Sequence, residues 1–224
     1  KTIYKVITFS LGVVFMLQSC NLDKEPSAYI GYEESFKTVE DAKKWDNGIY
    51  STLRGKFGGG YVLPQEVQAD MLNAHASFGS LYAPFHNWDV RSDDETLVNI
   101  YHSYYAALVD ANVVIEKIPT LKPINDEQKE QLKQYLGNAY LARAFYHFNL
   151  ALRWGQPYNV KEVATAQELC VPLALYPAPL EKPARATNEV AYKQILDDLQ
   201  LAENNLVQMK GKEGSDEITV DVVK

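Results

Sequence analysis

Four stretches of the chain carry apolar residues at the three-and-four spacing that gathers them on one side of an α-helix. Val39, Ala42, Trp45, Ile49 and Leu53 make the first stripe, which Gly55 and Gly58-Gly59-Gly60 end. The second runs through Leu97, Tyr101, Tyr104, Leu108, Ala111, Ile115 and Ile118, where Pro119 stops it. Leu132, Leu136, Ala139, Arg143, Tyr146 and Leu150 form the third, which reaches Trp154 before Gly155. The fourth is Tyr192, Ile195, Leu199, Ala202 and Leu206. Each stripe follows a capping residue: Thr38 with Asp41, Ser92 with Glu95, Asn125 with Gln128, and Thr187. A shorter helix is predicted over Leu63–Leu72, starting at Pro64. The second and third helices are joined by a short link, which predicts an antiparallel hairpin. The class is mainly all-α, with helical hairpins and long irregular loops.

Two segments carry no period. Asn73–Arg91 is long for a loop in a compact domain, and loops of that length are usually functional or disordered. Gln156–Ala186 is a long, proline-rich connection. After the fourth helix the chain is polar and glycine-bearing, so Ile195, Leu199 and Leu206 have no following helix to cover them. An apolar helix face must be buried against something, and the chain is therefore expected to be a piece of a longer protein.

Ahead of the helices, Lys1 and Lys5 precede an uncharged, mostly apolar run from Val6 to Leu17, closed by Gln18-Ser19-Cys20. The run is shorter than the roughly 20 residues that span a bilayer, and its layout is that of a secretory signal. A small residue followed by Cys resembles a bacterial lipobox, in which Cys20 is acylated and becomes the mature first residue. The reading is residues 1–19 as signal, 20–35 as a lipidated tether and 36–224 as the helical domain. A plain secretory signal with an incidental Cys20 is the alternative.

The formal charge is −7 for the chain and −9 once a signal carrying two lysines is removed. Such a domain does not seek nucleic acid or anionic lipid by charge. Cys170 is expected to be a small buried hydrophobe. No zinc-protease helix, nucleophile elbow or Cys-x-x-Cys motif occurs, and Gly58-Gly59-Gly60 lacks the Gly-Lys-Ser/Thr ending of a phosphate loop. Glu66 and Asp70, four apart, are expected to share a solvated helix face rather than act as a catalytic pair. His102 and His147 are expected on polar or interhelix positions, and Arg143 in a salt bridge to a neighbouring helix. The sequence thus implies no catalytic residues, no metal and no cofactor.

Candidate binding chemistry concentrates in the 73–91 loop, with Asn73, His75, Phe78, Tyr82, Phe85, His86 and Trp88. Sugar recognition uses aromatic faces for the C–H surface of a ring and polar groups for its hydroxyls. Asn73, His75, Phe78, Tyr82 and Trp88 are the ligand-binding candidates. The plainer reading of Phe78, Phe85 and Trp88 is that they pin the loop to the scaffold.

Several segments together resemble the SusD/RagB family of outer-membrane nutrient-binding lipoproteins of Bacteroidetes. They are Cys20 to Ser27, Phe36 to Ala42 leading into Gly48-Ile49-Tyr50, Trp88 followed by Tyr101 to Pro119, Tyr140 to Phe148 with Trp154-Gly155, and Val171-Pro172-Leu173 with Ala186 to Ala202. Leu136-Gly137-x-x-Tyr140 also matches a corner of the tetratricopeptide consensus. The resemblance implies a tetratricopeptide-like scaffold whose later part, absent here, supplies much of the ligand site. It implies non-catalytic capture of oligosaccharides at the cell surface and delivery to a SusC-like TonB-dependent transporter, with the outer membrane reached through the lipid anchor. Peptide capture by a RagB-like member and a tetratricopeptide-type protein adaptor are the alternatives.

Overall fold

The computed structural model describes residues 34–206 and residue 218. The apolar N-terminal run, Cys20 and the tether up to residue 33 lie outside the described residues. The helical unit starts at Phe36. Its elements in chain order are α1 (Val39–Lys56), α2 (Leu63–Gln68), α3 (Ala83–His86), α4 (Glu95–Lys117), α5 (Asp126–Trp154), α6 (Val163–Ala166), β1 (Leu169–Pro172), β2 (Arg185–Thr187) and α7 (Asn188–Asn205).

The caps explain where the long helices start. Thr38 and Asp41 form a reciprocal capping box on α1. Asn125 Oδ1 accepts from Gln128 N at 2.8 Å on α5, and Thr187 caps α7. On α4 the cap is Asp94, which accepts from Thr96 N and Leu97 N, so the expected Ser92–Glu95 box is corrected. An aspartate one residue before the helix reaches two of its free amides, and it wins over the more distant serine. Helix α2 ends at Gln68 instead of Leu72, because Asp70 adopts a left-handed backbone with φ 58.

Helix α5 is the centre. It packs against α1, α4 and α7, and Leu132, Ala139, Ala142, Tyr146 and Leu150 are buried on it. The α4/α5 hairpin forms as the short link predicts. Its neighbours leave α5 buried on several sides rather than along one stripe. The fourth helix does not lack a partner: Ile195, Ala202 and Leu206 are buried and Leu199 is half-buried, with α7 laid along α5. The two helices meet so closely at Gly137 that a Cβ there would lie 2.8 Å from Leu206 Cδ2 and 3.0 Å from its backbone nitrogen. Ile218 packs against the same core, and its carbonyl accepts from Gln134 Nε2 at 2.8 Å.

Two buried polar groups tie the helices together. Arg143, on α5, pairs bidentately with Asp198 of α7, at 2.6 and 2.8 Å, and donates to Asn112 Oδ1 of α4 at 3.0 Å. The expected structural role of Arg143 is what the geometry displays. Asp46 of α1 accepts from Asn138 of α5 at 2.8 Å. The proline-rich connection turns into a short antiparallel β1–β2 hairpin with an irregular register. Arg185 holds this hairpin by donating to the carbonyls of Cys170, Leu169 and Trp154. Gly155 makes the approach possible, since a Cβ there would lie 2.5 Å from Ala151 O and 3.1 Å from Cys170 Sγ. Cys170 is fully buried, and burial pushes its thiol up.

Arg143→Met strands the Asp198 carboxylate, whose side chain is 0% exposed. It is expected to cost about 3–5 kcal/mol, and combining it with Asp198→Leu should recover much of that. Chemical denaturation of the two single variants and the double variant of the full-length protein checks this. Equal loss in single and double variants would contradict it.

Burial raises the Asp46 carboxyl from 3.8 to about 6, against the lowering by Asn138. Between those values the native state holds a proton the unfolded chain has released, so stability falls as pH rises through the window. The cost is fully present at neutral pH and is on the order of 3 kcal/mol. His147 has the opposite sign: burial depresses its imidazole from 6.5 to about 3, so its contribution is lost as pH falls through that range. Comparing Asp46→Asn with wild type cancels the histidine. The variant is expected to melt higher at neutral pH, and the gap should close near pH 4. A gap independent of pH would refute the assignment.

Candidate functional site

Among the described residues four non-glycine positions have positive φ, and all fall between 70 and 88: Asp70, Ser80, Tyr82 and Trp88. Backbone strain of this kind persists only where the surroundings impose it, and it clusters at binding sites. The segment is built on two short helices. Helices α2 and α3 pack on each other, and Val67 and Phe85 are buried. Phe85 is the residue that pins the segment, at 5% exposure. Tyr82 is half-buried and meets Phe85 edge-on at 6.1 Å.

Trp88 is different. Its side chain is 71% exposed although its backbone is left-handed, with φ 55. A bulky aromatic residue in that conformation is an outlier. The expectation that Trp88 pins the loop is therefore corrected: Phe85 does so, and the indole faces solvent. Asn73 is exposed. His75 is exposed and caps the turn Ala76–Phe78, its Nδ1 accepting from Ser77 N at 3.1 Å. The Phe78 side chain lies outside the described residues. His86 is half-buried, with Nδ1 3.9 Å from Asp70 Oδ1. The left-handed Asp70 falls beyond the end of α2, so it and Glu66 do not share a helix face as expected.

Two hollows lie elsewhere. One, of about 250 Å³, sits between α1 and α4 and is lined by Trp45, Ile49 and Asp110 among others. The other, of about 370 Å³, lies where the N-terminal half of α4 faces β1, Arg185 and the end of α5. Tyr101 and Trp154 form a corner in it, with ring centroids 5.2 Å apart and planes at 75°. His102, expected on a polar face, is exposed at its edge. Sequence reasoning placed Tyr101 on the core stripe and left Arg185 in an unread connection. The aromatic Tyr101-His102 pair at the start of α4 was the available signal.

His147 is buried, and its Nε2 accepts from Ala174 N at 3.2 Å. The imidazole stays neutral because burial and the nearby Arg143 guanidinium disfavour its charged form. Among the described residues no group of three His, Cys, Asp or Glu side chains is arranged to hold a metal ion. No helix among them is long and apolar enough to cross a membrane.

A SusD-like family model described as "Starch-binding associating with outer membrane" matches residues 22–212. A SusD-like protein of Formosa agariphila is 30% identical over 205 residues, covering 90% of this chain and 36% of the relative. The crystal structure of a SusD superfamily protein from Bacteroides fragilis aligns with a TM-score of 0.67 at 19% identity, over 85% of this chain and 45% of the other. A structure titled "Laminarin binding SusD-like protein" aligns with a TM-score of 0.59 at 19% identity, over 84% and 38%. The chain thus spans 36–45% of the length of these proteins.

The exposure difference between the two aromatics is directly testable. In the full-length protein Phe85→Ala is expected to cost about 3–5 kcal/mol. Trp88→Ala should stay within about 0.5 kcal/mol, as surface changes do. Melting curves of both variants decide it, and a large drop for Trp88→Ala would return that ring to a packing role.

Proposed function

The chain belongs to the SusD-like family, and on that premise we propose that it is the helical part of a non-catalytic surface protein that captures oligosaccharide. The observation that carries this reading is the solvent-facing indole of Trp88, held by a left-handed backbone on a segment anchored through Phe85. An exposed flat ring on a fixed mount suits the C–H face of a pyranose, and the half-buried Tyr82 with exposed Asn73 and His75 supplies neighbouring polar groups. The family description as starch-binding and the laminarin-binding relative support a glycan as the ligand. In this proposal Cys20 carries the lipid that holds the protein on the outer membrane, and a SusC-like TonB-dependent transporter receives the glycan.

The test is calorimetric titration of the full-length protein with laminarin and starch oligosaccharides, with peptides as a comparison. Binding without cleavage, weakly dependent on salt, is expected. Trp88→Ala should weaken it by about 1–2 kcal/mol. Appearance of shortened products, or binding of peptides alone, would overturn the reading. Fatty-acid labelling that is lost in Cys20→Ala, and co-purification with a large β-barrel, test the anchor and the transporter.

A further inference from the structure

Resting on that reading, we propose that the hollow beside α4 is an extension subsite that takes further rings of the same glycan chain. It has a volume of about 370 Å³ and joins α4, the end of α5 and the β1–β2 hairpin. That volume falls in the range of small-molecule sites. Apart from Ser92, its lining residues belong to regular elements, which fix side chains more precisely than a loop does.

The chemistry of the lining selects the ligand. Tyr101 and Trp154 offer two ring surfaces at 75° to one another, and Val98 and Pro172 extend the apolar wall. Ser92 and His102 supply hydrogen-bonding groups. Among the described residues that line the hollow there is no carboxylate. Arg185, which also lines it, donates Nε and Nη2 to three backbone carbonyls. This combination of aromatic surface and hydrogen-bonding groups fits a sugar ring. An acyl chain would leave Ser92 and His102 unused.

Position ties the hollow to Trp88. Ser92, on its rim, is four residues from Trp88. Four residues of chain span at most about 14 Å. A glycan resting on the Trp88 indole is therefore within a few rings of the Tyr101–Trp154 corner. The two surfaces act as one extended site, in which Trp88 holds one ring and the hollow rewards length.

The experiment compares two-ring and six-ring oligomers of laminarin and of starch on the full-length protein and three variants. Wild type should bind the six-ring probe more tightly. Val98→Trp fills the hollow, and it should cut six-ring affinity by about fivefold or more while leaving the two-ring probe unchanged. His102→Ala, an exposed change that leaves the helix intact, should act in the same direction and covers the case in which the larger substitution disturbs folding. Trp88→Ala should weaken both probes. If neither His102→Ala nor a folded Val98→Trp alters six-ring binding, or if wild-type affinity is independent of length, the subsite is refuted while glycan capture at Trp88 stands. If no probe binds wild type, both fall.

Discussion

Arg143 is the interaction on which the arrangement depends. It lies on the central helix, nearly enclosed, and its guanidinium is shared between Asp198 of α7 and Asn112 of α4. Three helices are thus fixed in rotation and register by one planar group with directed donors. Hydrophobic packing alone would allow α7 to slide or turn on α5, because apolar contacts are not directional. Asp198 and Asn112 are themselves buried, so any shift of α7 or α4 would leave a charge or an amide without its partner. Gln194 adds a further donor to Asp198 at 3.0 Å, which keeps that carboxylate in place from its own helix.

The same helices use polar side chains to hold the irregular connection. Asn112 donates to the carbonyls of Ala174 and Tyr176, and Tyr105 donates to Pro172 O at 2.8 Å. His147 receives Ala174 N. Asn188, fully buried at the start of α7, donates to carbonyls at Gln156, Pro157 and Thr165. A segment without regular structure must satisfy its backbone groups somewhere, and here the helices meet that need. The wall of the hollow beside α4 is a consequence, since β1 is fixed at a set distance from Tyr101.

The proposed binding segment contrasts with this frame. Among the described residues its positive-φ positions lie between 70 and 88, where a short packed pair of helices and one buried phenylalanine anchor an exposed indole. A rigid helical scaffold carrying an irregular segment with exposed aromatics is an economical way to offer a fixed platform to a flat, weakly polar ring.

The helices were legible because their signals are local. Apolar spacing, Thr38 with Asp41, Asn125 with Gln128, and Thr187 all act within one turn, so the sequence by itself determined where α1, α5 and α7 lie. The partner of Arg143 was legible only as a need: an arginine on an apolar stripe requires an acceptor, but Asp198 stands 55 residues away and only packing brings it there. The role of Trp88 was undecidable from sequence, because pinning and display use the same residue type. Tertiary packing gave the pinning to the buried Phe85 and left Trp88 exposed. The hollow beside α4 was invisible for the same reason. Its walls come from α4, the end of α5 and β1–β2, and it exists only where tertiary packing sets those elements against one another.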